Sequence, residues 1–158
     1  METSTELKPY VLNCEGILHV CRIKAGKYST GNLKAENGAS IHLINNGLSF
    51  NELLTMECYD TGTFALGTEF EANSLKVKSK SSTNIQAKAV LLNKDKNDST
   101  CQFELDSSST VVMYIDFNGI KEITGSVKNS STLVIYAKHT PINNIEKDAS
   151  SNVTIHSW

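Results

Sequence analysis

Apolar and polar residues alternate along this chain in short runs, and the runs return in the same order every 20 to 26 residues. The clearest pair is Ser107-Ser108-Ser109-Thr110-Val111-Val112-Met113-Tyr114-Ile115 and, 22 residues on, Asn129-Ser130-Ser131-Thr132-Leu133-Val134-Ile135-Tyr136-Ala137. One hydroxyl or amide residue per copy serves as an anchor: Ser40, Thr63, Asn84, Thr110, Thr132 and Asn152, spaced by 23, 21, 26, 22 and 20 residues. Similarity at a fixed period in this range is the signature of repeat architectures.

Positions around the anchors behave alike. One residue after them come Ile41, Phe64, Ile85, Val111, Leu133 and Val153, and three after come Leu43, Leu66, Ala87, Met113, Ile135 and Ile155. Seven before come Leu33, Met56, Val77, Phe103, Gly125 and Ile145, five large apolar residues and one glycine. The fit is poorer five before, with Ala35, Cys58, Ser79, Leu105, Val127 and Lys147. A period of two places each set on one face of a strand. Between the strands lie small residues such as Gly38-Ala39, Ser108-Ser109 and Ser130-Ser131. Their side chains bond to local backbone or tolerate unusual dihedrals, which suits a corner.

Each copy therefore reads strand, corner, strand. A single copy cannot bury its apolar face, so the copies must stack. At ~4.8 Å per strand, six copies make a rod on the order of 30 Å long. The expected fold is all-β, a single-stranded parallel β-helix (β-solenoid) of six to seven rungs. The alternative is an antiparallel β-sandwich or jelly roll, which also has short alternating strands but does not require one register six times.

Residues 1–31 fit the repeat less cleanly and read as an N-terminal cap or degenerate first rung, with 32–158 as the solenoid of a single domain. Val11-Leu12 and Ile17–Ile23 are its two short strands. The segment 46–55, with Leu48, Phe50, Leu53 and Leu54, is too apolar for a plain loop and is expected to form the third side of a rung or to pack across one face. Asn93–Thr100 is charged and turn-rich and reads as a protruding loop. Little chain follows Asn152–Ile155, so the last edge is open unless Trp158 or a second copy of the chain covers it.

Composition narrows the function classes. The net charge is −2 with both signs interspersed, and aromatics are 7% with no basic patch between them, which excludes a nucleic-acid footprint. No apolar run of ~18 residues is present, so no membrane insertion is expected. The first ten residues are acidic and polar rather than a signal peptide. Location stays open: cytoplasmic as written, or periplasmic or cell-surface if a leader was removed.

Of the four cysteines, Cys58 falls on an inward column and Cys101 on a strand just before Phe103. Cys14 and Cys21 can pair with each other or with neither, and reduced thiols are the expectation for all four. Cys14, His19 and Cys21 spell C-x4-H-x-C, which matches no usual zinc spacing, so no metal or cofactor is assigned. His42, His139 and His156 read as isolated surface residues.

Two and four residues after each anchor the side chains should point outward. In the early copies these are mixed. In the two late copies they are Val112, Tyr114, Val134 and Tyr136, stacked in pairs. Aromatic pairs beside β-branched residues on an outer face suggest an association surface, unless the N-terminal strands cover it. The catalytic motifs G-x-S-x-G, H-E-x-x-H and a phosphate loop do not occur. The acidic residues, among them Glu57, Glu104 and Asp106, are scattered. The expectation is a non-enzymatic module that binds, adheres or self-assembles, with a second copy, another protein or a glycan as partner. The alternative is a carbohydrate-binding or carbohydrate-active β-helix. Asn97-Asp-Ser99 and similar triplets match the N-glycosylation pattern, as chance allows in a chain this rich in Ser, Thr and Asn.

The copies Glu36–Leu43, Ser79–Ile85 and Thr124–Ile135 resemble the head GIN family, also described as auto-transporter adhesin or DUF2807-type domains. The resemblance covers about residues 32–157. It implies a right-handed parallel β-helix of bacterial, often Bacteroidetes, origin with a surface or periplasmic role in adhesion. The corners here are Ser-Ser-Thr where that family is richer in glycine. It assigns no catalytic residues.

Overall fold

The computed structural model describes residues 6–93 and 99–158. The loop read between Asn93 and Thr100 falls mostly on 94–98, outside the described residues, as does the triplet that begins at Asn97. All secondary structure among the described residues is β, and every strand pairing is parallel. No helix is long and apolar enough to cross a membrane.

The chain winds as a solenoid in which the earlier turns lay down strand on three faces and the later ones on two. Face I carries β1 (Tyr10–Glu15), β4 (Gly31–Glu36), the second half of β6 (Leu48–Tyr59), the last third of β7 (Thr63–Lys80), β9 (Cys101–Asp106), β11 (Glu122–Val127) and β13 (Ile142–Lys147). Face II carries β2 (Val20–Arg22), β5 (Ser40–Leu43), the start of β7, β8 (Asn84–Leu91), β10 (Thr110–Asp116), β12 (Thr132–Lys138) and β14 (Asn152–Ser157). Face III carries β3 (Gly26–Tyr28), the start of β6, the middle of β7 and the end of β8. The antiparallel sandwich is thereby excluded. The segment around Leu48 and Phe50 does form the third side of its turn, and the register shift between Phe50 and Leu53 marks the bend into face I.

The register follows the anchors. Ser40 pairs with Thr63, Thr63 with Asn84, Asn84 with Thr110, Thr110 with Thr132, and Thr132 with Asn152. Parallel pairing with no offset places each residue over its counterpart one turn away, so the apolar columns become continuous ridges in the core. All five phenylalanines (Phe50, Phe64, Phe70, Phe103 and Phe117) are fully buried. Residues 10–30 make a turn of their own, paired strand for strand to the next. Tyr10, Tyr28 and Phe50 stack at that end of the core, with ring centroids 4.6 and 5.9 Å apart.

Five successive corners between faces I and II turn on two adjacent residues of positive φ: Asn37-Gly38, Asp60-Thr61, Ser81-Ser82, Ser107-Ser108 and Asn129-Ser130. That conformation costs about 1–2 kcal/mol for a residue with a side chain, and is best tolerated by short polar ones. Bonds between turns hold it: Thr61 N–H donates to Ser81 O at 2.9 Å, Ser82 N–H to Ser107 O at 2.9 Å and Ser108 N–H to Asn129 O at 2.9 Å. The third corner residue points inward and must be small. It is Ala39, Gly62, Thr83, Ser109, Ser131 and Ser151 in turn. At Gly62 a Cβ would sit 2.6 Å from Ala35 O.

The late corners line the core with a hydroxyl ladder. Thr83 Oγ1 donates to Ser109 Oγ at 2.9 Å, and Ser109 Oγ donates to Asp106 O at 2.7 Å. With the Thr83 proton committed, Ser79 donates to Thr83. Ser131 Oγ accepts from Ser109 N–H, and Ser151 Oγ from Ser131 N–H, both at 3.2 Å. This explains why Ser79, a poor fit to an apolar column, is buried: its hydroxyl has a partner.

Gly125 likewise is no gap in its column. Its φ is +130°, and a Cβ there would lie 1.7 Å from Phe103 O, so the backbone itself occupies the space. The expectation of four reduced thiols is corrected: Cys14 and Cys21 form a disulfide with Cα atoms 5.9 Å apart, while Cys58 and Cys101 are free and buried. The fold decides this, because the corner at Gly16 turns the chain back so that β1 and β2 bring the two sulfurs together.

Candidate interaction face

The exterior of face I is a ladder of alternating charge. Successive turns place Lys34, Glu57, Lys78 and Glu104 side by side, and Lys80 beside Asp106. A cleft of about 380 Å³ here includes Tyr59, Lys80, Glu104 and Asp106. Two of its groups, Tyr59 and Asp106, are shifted. Burial and the neighbouring Glu57, which accepts from Tyr59 Oη at 3.1 Å, push Tyr59 up to about 12. The Asn129 side-chain amide, donating at 2.6 Å, holds the Asp106 carboxyl below its ordinary range.

The exterior of face II differs. Val112 aligns with Val134 and Tyr114 with Tyr136, so the four residues singled out in the sequence form one patch. Strand spacing of ~4.8 Å is also the distance at which flat rings stack. The Tyr114 and Tyr136 rings lie 4.6 Å apart with 14° between planes, and His156 continues the stack at 5.0 Å and 18°. Tyr114 is 39% exposed, and the valines and Tyr136 are half-buried. The N-terminal strands do not cover this patch; they occupy the first turn at the far end of the face.

A second row runs alongside, aligning Val90, Asp116 and Lys138 in successive turns, with Trp158 N–H bonded to Ala137 O at 2.8 Å. Trp158 does not fold over the open end. It lies on face II with its ring edge-to-face with Tyr114 (5.7 Å, 78°) and the Lys138 ammonium 4.4 Å from its centroid. The His139 ring meets Asp116 at 2.8 Å. A cleft of about 440 Å³ opens among Glu69, Lys88, Tyr114, Asp116, Lys138 and Trp158. A second, of about 400 Å³, runs from Tyr114 and Val112 towards Ile44 and Gly67. Tyr114 is a wall common to both.

His156 and His139 are thus not isolated, since one stacks and the other bonds an acid. The sequence reading missed Trp158, Lys138 and Asp116 as members of this face. Extending the outward alternation two residues beyond the tyrosines would have found the row they share.

At the other end of the molecule, Cys14, His19 and Cys21 converge, each offering a ligand atom within 4.8 Å of the others. At the last turn β13 pairs with β11 and β14 with β12, and Ile145, Val153 and Ile155 are half-buried at the ends of the core columns. There Lys147 occupies the register of the buried Val127.

No family model, curated protein or solved structure matches this chain.

Proposed function

We propose that this chain is a non-catalytic binding module whose working surface is the outer side of face II, centred on Val112, Tyr114, Val134 and Tyr136. The observation that carries the reading is the ring stack of Tyr114, Tyr136 and His156, extended by Trp158, on the outer side of face II. Stacking covers the ring faces and leaves edges and hydroxyls outward. Such a surface combines apolar area with polar tips and loses little side-chain entropy on docking, which suits a protein surface, either another protein or a second copy of the chain. Lateral docking is favoured over end-to-end growth because Lys147 on β13 stands in the register of the buried Val127, where strand addition would bury its charge. The resemblance to head GIN repeats agrees with an adhesion-like role.

The second reading, a glycan ligand, is favoured by one observation: the cleft beside Trp158 gathers Glu69, Asp116, Lys88 and Lys138, which can bond sugar hydroxyls.

Sedimentation velocity over a concentration series, with a glycan array, tests the two. The combined variant Tyr114→Ser/Tyr136→Ser should keep the far-UV spectrum and lose at least about tenfold in association, about 1.4 kcal/mol. Association unchanged in that variant overturns the protein-surface reading, and array signal insensitive to Trp158→Ala overturns the glycan reading.

A further inference from the structure

We propose that Cys14, His19 and Cys21 form a redox-gated metal site: a disulfide when oxidised, and a ligand set for a soft divalent cation of the zinc class when reduced. In the oxidised state the two sulfurs are bonded to each other and a ring nitrogen of His19 lies within 4.8 Å. Tetrahedral zinc with Zn–S bonds of about 2.3 Å holds two thiolates about 3.8 Å apart. Cα atoms 5.9 Å apart allow this by side-chain rotation alone.

Three further features fit. His19 Nδ1 lies 3.0 Å from Glu15 O, and a carbonyl only accepts, so Nδ1 carries the proton. That bond orients the ring and leaves the Nε2 lone pair for a cation, as in metal-bound histidines generally. The released Cys14 thiol has acceptors waiting, Ser40 O at 3.5 Å and His19 O at 3.8 Å, so reduction strands no buried group. Exposure rises from buried Cys14 through half-buried Cys21 to exposed His19, which leaves the fourth position open to water or a further ligand.

The step balances. A trialkylphosphine and water reduce the disulfide: the S–S bond breaks, each sulfur gains an electron and a proton, and phosphorus is oxidised to the phosphine oxide. The cation then displaces both thiol protons, releasing two protons per metal bound. The site lies in the first turn, away from the Tyr114 face, so it stands or falls independently of the proposed binding function.

The test is a Co²⁺ titration of the full chain, oxidised and phosphine-reduced, followed by Zn²⁺ displacement. The reduced protein should keep its β-sheet circular dichroism and show thiolate-to-cobalt charge transfer that saturates at one equivalent and is bleached by Zn²⁺. The oxidised protein should show none. Cys21→Ser should abolish the signal, and His19→Ala should weaken affinity at least about tenfold. Loss of the fold on reduction, no charge-transfer band in the folded reduced chain, or a band that survives Cys21→Ser would each overturn the proposal.

Discussion

Replacing Ser109 by Ala isolates the contribution of the internal hydroxyl ladder. The position is fully buried, and other turns place Ala39 and Gly62 there, so the smaller side chain fits the corner without strain. What changes is the hydrogen bonding. Ser109 Oγ accepts from Thr83 and donates to Asp106 O, which otherwise keeps only a long bond of 3.4 Å from Ser81 N–H. Thr83 can turn its proton towards Ser79, but then Ser79 has no acceptor, so one buried donor is orphaned whichever way the chain of hydroxyls points. An orphaned donor costs about 1–3 kcal/mol and the lost bond about 1 more. We expect a destabilisation of about 2–4 kcal/mol, a sizeable share of the ~5–15 kcal/mol that holds a domain together. At about 2–4 °C per kcal/mol for a chain this size, the melting temperature should fall by about 4–16 °C. Urea unfolding of wild type, Ser109→Ala, Thr83→Val and the double variant measures it, with a coupling of about 1 kcal/mol between the two sites. A Ser109→Ala protein within about 0.5 kcal/mol of wild type, or zero coupling, would refute the ladder as a stabilising network.

Gly125→Ala should destabilise by about 2–4 kcal/mol, because Ala at φ +130° is strained and its Cβ meets the Phe103 backbone; an unchanged urea midpoint would contradict this. The Asp106 carboxyl titrates lower in the folded chain than its ordinary 3.8, held there mainly by the Asn129 amide. Its stabilisation is therefore fully present above that value and fades as pH falls through the folded value. Asp106→Asn should show a smaller loss of stability on acidification in that window, and parallel acid curves would count against the assignment. Burial pushes the Cys58 thiol up to about 12 and raises Cys101 as well. A maleimide at neutral pH should then label no cysteine in the native oxidised protein and two after unfolding without reductant. Four labelled on unfolding would refute the Cys14–Cys21 disulfide.

Much of this fold was legible in the sequence, and the reason is geometric. In a parallel stack the pairing register is the repeat itself, so aligning Ser40, Thr63, Asn84, Thr110, Thr132 and Asn152 in sequence is the same act as stacking them in space. Side-chain alternation then settles which residues are core, and places Tyr114 beside Tyr136. Tertiary structure decided what depends on distances across a turn rather than on period. Ser79 reads as a flaw in an apolar column until the corner places Thr83 within bonding reach. Gly125 reads as a missing side chain until the Phe103 backbone is seen to fill its place. Cys14 and Cys21 are two unassigned thiols until the first corner brings them within disulfide reach across adjacent faces, and Trp158 is a terminal residue until it turns onto Tyr114 and Lys138. Period is a one-dimensional property that the order of residues carries. Reach between side chains on different strands is set by the path of the backbone around each turn, which only the folded chain defines.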